Sequence, residues 1–227
     1  MNLPTPRPRT AGRAFTLIEL LVVMAIIGLI AGFLLAGVAR IGTNGKIKRT
    51  QAELARLEAA IDSYHAFKGL YPPDNGRNPR NPAVVPLFYE LTGTMYLPHG
   101  PADPGAGAPP DRYEALQGTE TIDEFAISDY FGRTGFLNAS TDRAEVRNFL
   151  PVTRTSEVKP IPGTTVLLLV APVEGPGYAA APGLNPWCYL APGTNNQTTY
   201  DLWADLKIGS KHYRVCNWQR EAILLPP

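Results

Sequence analysis

The stretch Ala14-Phe15-Thr16-Leu17-Ile18-Glu19-Leu20 opens an apolar run that lasts to Ala39, and its reading decides the fold. Between Phe15 and Ala39 the single charged residue is Glu19. A carboxylate inside a lipid-spanning helix costs roughly 2.5–3.5 kcal/mol, so a chain that keeps one there has a use for it. As a helix, residues 15–39 reach about 37 Å, enough to cross a bilayer. The preceding residues 1–14 carry Arg7, Arg9 and Arg13 and three prolines, with no apolar core of their own. They therefore do not read as an ordinary secretory signal peptide. Charge does not orient the span, because Arg40, Lys46, Lys48 and Arg49 follow it just as three arginines precede it.

A short basic leader, a small residue and then Phe-Thr-Leu-Ile-Glu-Leu resembles the processing signal of type IV pilins and type II secretion pseudopilins. The resemblance implies cleavage by a membrane prepilin peptidase between Ala14 and Phe15, with Ala14 standing where most of the family has Gly, and N-methylation of the new terminus Phe15. It implies that Glu19 pairs with the Phe15 ammonium of a neighbouring subunit, so that two groups costly in lipid become one pair. Read from the residues alone, Glu19 could also snorkel to the membrane surface. Gly28 and Gly32 form a GxxxG spacing that lets helices approach closely. Ala36 stands where many family members have Pro, with Gly32 and Gly37 to loosen the helix instead. The leader's resemblance also implies a cytoplasmic amino terminus and a large domain outside.

Beyond the span, Ile47, Leu54, Leu57, Ile61 and Tyr64 recur at helical spacing, which predicts an amphipathic continuation over residues 40–69 lying on a sheet. Gly69 suits a helix end, and Pro72 prevents continuation. Residues 70–164 read as a loop-rich variable region with short helices at 84–91, at 120–131 with Thr119 or Thr121 as cap, and at 141–150. Residues 165–227 read as an antiparallel sheet: strands at 165–171 and 186–190, then 200–208 and 212–218 joined by a turn at Gly209-Ser210. The expected fold is thus α+β, a pilin-like lollipop whose long amino-terminal helix packs on a carboxy-terminal antiparallel sheet.

Residues 53–64 with Gly69-Leu70-Tyr71-Pro72, and Asn185-Pro186-Trp187 with Tyr200-Asp201-Leu202, further resemble the G-type major pseudopilins. Those often bind calcium in the loop after the second segment. Here Asp201 and Asp205 offer oxygens, but a calcium site wants six to eight, and solvated strand carboxylates are the favoured reading. No other metal or cofactor is expected. Cys188 and Cys216 are candidates for a disulfide in an exported domain, with two buried free thiols as the alternative.

Gly and Pro supply 21 and 23 of the 227 residues, above the usual combined share of about 12 per cent, which predicts many turns. Residues 1–69 hold nine basic and four acidic groups, residues 70–227 twelve and sixteen. The mildly acidic outer part argues against nucleic acid as a partner. His65, His99 and His212 are scattered, and no GxSxG, HExxH, P-loop or CxxC is present, so no enzyme is expected. The expected role is a subunit of a type II secretion-like pseudopilus in the bacterial inner membrane, with a periplasmic domain. Its partners are prepilin peptidase, other pilin or pseudopilin subunits, the inner-membrane assembly platform and the lipid bilayer. The alternative is a minor pilin or tip protein presenting a substrate- or surface-binding domain, for which Trp187, Tyr189, Trp203 and Trp218 are candidate contacts, with core and hairpin packing as the favoured reading of those four.

Overall fold

The computed structural model describes residues 17–77, 81–100, 108–117, 120–150, 154 and 156–226, without the side chains of 32–41. The chain divides into two compact units, Met1–Asn44 and Gly45–Pro227. Helix α1 (Leu17–Lys68) opens in the first and closes in the second.

In the second unit the predicted apolar stripe is the buried face of α1. Leu54, Leu57, Ala60, Ile61 and Tyr64 are inside, and Thr50 fills the stripe where the apolar spacing lapses. Thr50 tolerates burial because its hydroxyl donates to the Lys46 carbonyl at 3.0 Å. The helix ends as predicted: Gly69 takes a φ of 76° and its N–H returns to the His65 carbonyl at 2.8 Å.

Two four-stranded sheets and a ribbon complete the unit. The first sheet has the order β3-β2-β1-β4, from β1 (Thr94–Leu97), β2 (Arg112–Ala115), β3 (Thr121–Asp123) and β4 (Ala139–Ser140). Its pairings are antiparallel except for β1 with β4. The ribbon pairs β5 (Val158–Pro160) with β6 (Leu167–Leu169). The second sheet runs β10-β9-β8-β7, wholly antiparallel, from β7 (Cys188–Leu190), β8 (Asp201–Ile208), β9 (Lys211–Cys216) and β10 (Gln219–Leu225). Gly209 and Ser210 turn β8 into β9 as expected, and Gly209 has the positive φ of 63° that such turns demand. One hydrophobic cluster joins the buried face of α1 to Leu202, Ala204, Leu206 and Val215 of the second sheet.

The α+β class and the long helix followed by antiparallel sheets agree with the sequence. The middle region differs: residues 70–164 hold a sheet, not only loops and short helices. Helix α2 (Leu87–Thr92) starts after Pro86, later than the expected 84–91. Thr121 and Ile122 join β3, where β-branched side chains suit a pleated surface, so the next helix does not begin at Thr121, and Thr119 lies outside the described residues. Asp123 is its cap, accepting from the Ala126 N–H at 2.7 Å; α3 (Glu124–Ala126) then widens into a π turn (Ile127–Phe131). The helix expected at 141–150 is absent. Side chains of Asp142 and Asn148 take up nearby backbone N–H groups and hold turns there instead.

Candidate assembly and anchoring segment

All described side chains of residues 17–31 are exposed, from Leu17 at 83% through Ile30 at 51%. Consecutive residues cover every face of a helix, so this segment, Glu19 apart, is apolar all round, and no described residue of its own unit is laid against it. Such a surface belongs against lipid or other helices, not water. Glu19 is the third described residue of α1. Gly28 has open space about it: a Cβ added there would meet nothing within 4 Å. Ala14 and Phe15 lie outside the described residues, as do the side chains of residues 32–41, which take in most of the second half of the expected span. Among the described residues no helix is long and apolar enough to cross a membrane; residues 17–31 alone reach about 22 Å.

A buried polar network ties α1 to the rest of the second unit. The Tyr64 hydroxyl donates to Glu90 Oε2 at 2.9 Å, and the N–H groups of Leu137 and Asn138 donate to the same carboxylate at 2.8 and 2.9 Å. The Asn138 amide in turn donates to the carbonyls of Glu90 and Arg147 at 2.7 and 2.6 Å. Burial pushes the Glu90 carboxyl above its ordinary value; the hydrogen bonds from Leu137, Tyr64 and Asn138 restrain the rise. Burial beside this carboxylate pushes the Tyr64 phenol up as well. Nearer the start of the unit, Arg56 reaches Glu53 at 2.7 Å and Glu157 at 2.6 Å, fastening α1 to the segment that enters β5.

Asp201 and Asp205 do not form a cation site. Asp201 collects four donors: the backbone N–H groups of Thr194, Asn195 and Asn196 at 2.7, 2.8 and 2.9 Å, and the Asn195 side chain at 3.0 Å. A ring of N–H groups suits an anion and repels a metal ion. Gly193 makes this possible, since a Cβ there would come 2.5 Å from Asp201 Oδ1. Asp205 is gripped by Arg214 through two bonds of 2.7 and 2.8 Å. Among the described residues no three His, Cys, Asp or Glu side chains gather to hold a metal.

Cys188 and Cys216 are buried free thiols. Both face Trp203, one from β7 and the other from β9, so the whole of β8 separates them. Two strand spacings amount to about 9.5 Å, beyond the reach of a disulfide. Burial pushes the Cys188 thiol up to about 12, so it is unreactive where it sits.

Trp187 and Tyr189 belong to the core, while Trp203 and Trp218 form a half-buried T-shaped pair at 5.7 Å with the Arg214 guanidinium over Trp203. Beside that pair a cleft of about 480 Å³ runs between α1 and the β9–β10 hairpin, with Gln51, Glu58, Asn217, Trp218 and Arg220 on its walls. Of the histidines, His65 stacks on Tyr71 at 4.2 Å and His99 Nδ1 lies 2.7 Å from Asp111, which also accepts from the Tyr96 hydroxyl at 2.6 Å. Those two partners, the hydroxyl foremost, hold the Asp111 carboxyl down to about 2. Sequence reasoning missed the Tyr64–Glu90–Asn138 network; its one signal was a carboxylate lodged in the apolar hexapeptide Leu87-Phe88-Tyr89-Glu90-Leu91-Thr92.

No curated protein and no solved structure matches the chain significantly. Residues 9–35 match the prokaryotic N-terminal methylation motif, the signal of type IV pilin-like and pseudopilin precursors that prepilin peptidase processes.

Proposed function

We propose that the protein is a pseudopilin subunit, cut between Ala14 and Phe15, N-methylated at Phe15, and assembled through α1 into a type II secretion-like filament. The helix holds it in the bacterial inner membrane with the amino terminus cytoplasmic and the second unit in the periplasm. The methylation motif at residues 9–35, continuing into a helix exposed and apolar on every face, carries this reading. Glu19 offers the incoming subunit a partner for its Phe15 ammonium, so that correct axial register neutralises two charges in a medium that penalises each alone. Its work is mechanical rather than catalytic: subunits added at an inner-membrane assembly platform lengthen a fibre, and a separate cytoplasmic ATPase supplies the energy. Intact mass and amino-terminal mapping test this, with and without prepilin peptidase. Loss of residues 1–14 and one added methyl on Phe15 is the expected result; an uncut chain in the presence of the peptidase refutes it.

The cleft bordered by Trp218 favours one second reading, a minor subunit that presents a binding surface at the filament tip. An indole beside amide, carboxylate and guanidinium groups suits a polar ligand with an apolar face. Copy number separates the two: a major subunit dominates sheared filaments, whereas a tip subunit is present in a few copies each.

A further inference from the structure

We propose that the basic start of the second unit and the cleft beside it bind the phosphodiester and glycerol hydroxyls of an anionic lipid headgroup; this rests on the anchoring read above. After Glu19 the next acid is Glu53, and Arg40, Lys46, Lys48 and Arg49 all fall between. In the proposed orientation these cations emerge on the side of the membrane where the positive-inside rule disfavours them, so they call for a counter-charge. Lys46, Lys48 and Arg49 are exposed and make no ion pair among the described residues, whereas Arg56 is clamped between two glutamates.

Arg49 borders a cleft of about 260 Å³ that also holds Lys159 and Ser156, with Glu174 as the acid on its wall. Lys159, too, is exposed and makes no ion pair among the described residues. A guanidinium fork, an ammonium and a hydroxyl are the donors a phosphate takes. The same cleft is lined by Asn185, which is 7% exposed. Its amide nitrogen is satisfied by the Val173 and Asp205 carbonyls at 2.8 and 2.9 Å, but its buried Oδ1 has no hydrogen-bond partner. An unmet acceptor beside a phosphate site asks for a ligand that also carries a donor. A phosphoglycerol headgroup has both parts; a choline headgroup lacks the hydroxyl and cancels the charge.

The full-length processed chain in detergent micelles is titrated with phosphatidylglycerol, with phosphatidylcholine and with inorganic phosphate, and bound lipid is read by native mass spectrometry. Phosphatidylglycerol is expected to bind in preference, and the double variant Arg49→Gln/Lys159→Gln to bind it roughly thirtyfold more weakly. Lys207→Gln, which removes an exposed cation on β8, is expected to leave binding unchanged. Equal retention of the two lipids, an unaffected double variant, or a loss as large in Lys207→Gln overturns the proposal. Binding of inorganic phosphate alone overturns the lipid as its source. Carbonate extraction of cell membranes tests the anchoring separately: a chain released by carbonate refutes the anchor, whatever the micelles show.

Discussion

Tyr64→Phe isolates the bond that fastens α1 to the first sheet's side of the core. The substitution removes one hydroxyl and leaves the ring, which keeps its edge-on packing against Phe149 at 5.4 Å. What is lost is a donor 2.9 Å from a fully buried carboxylate. A hydrogen bond to a charged group contributes about 1.5–3 kcal/mol, and one between neutral groups about 0.5–1.5 kcal/mol. The effect therefore depends on the protonation of Glu90. Burial raises that carboxyl above its ordinary value of 4.5, so across the interval up to the raised value the folded chain holds a proton that the unfolded chain has released. Stability falls as pH rises through that interval. The Tyr64 hydroxyl favours the charged form and restrains the fall; without it the raised value climbs further and the loss extends to higher pH. Tyr64→Phe is thus expected to cost about 0.5–1.5 kcal/mol at the acidic end of a pH series, where Glu90 is protonated, and to rise toward about 1.5–3 kcal/mol as higher pH ionises it. For a unit of this size the larger figure lowers Tm by roughly 3–12 °C. Near-UV circular dichroism melts of the full-length chain in mild detergent read this directly. A penalty that stays level or shrinks as the pH rises refutes the reasoning.

Three further outcomes are expected. Glu19→Ala should leave cleavage intact and abolish recovery of the chain in sheared filaments; normal filament yield would remove the role given to this carboxylate. Asp201→Asn replaces one acceptor oxygen with N–H groups that face backbone donors, and should cost about 1–3 kcal/mol with faster hydrogen exchange at Thr194, Asn195 and Asn196. Unchanged exchange there would show that Asp201 does not hold the loop. Dithiothreitol should leave the melting curve where it is, and iodoacetamide should label Cys188 only after unfolding; a drop in Tm on reduction would mean that the two thiols are joined after all.

Much of the chain's organisation is written in local pattern. The apolar run from Phe15, the placement of Glu19 and the stripe through Leu54, Leu57, Ile61 and Tyr64 need only helical periodicity to be read, and Gly69 and Gly209 mark their turns because few other residues accept a positive φ. These signals lie within a few residues of one another, which is why the long helix, its buried face and the β8–β9 hairpin were legible. What required the tertiary structure was pairing across distance. Thr121 and Ile122 become strand rather than helix because Tyr113 and Glu114 lie opposite. The carboxylates of Asp201 and Asp205, equally available on paper to a cation, are taken by three loop N–H groups and by Arg214. Cys188 and Cys216, close in sequence and both in one sheet, are kept apart by the strand that carries Trp203. Glu90 finds its donors 26 and 47 residues away in sequence, at Tyr64 and Leu137. Propensity and periodicity act over a turn or a pleat, whereas the partner of a buried charge is chosen by whichever distant group the fold brings within 3 Å, and low dielectric then makes that choice binding.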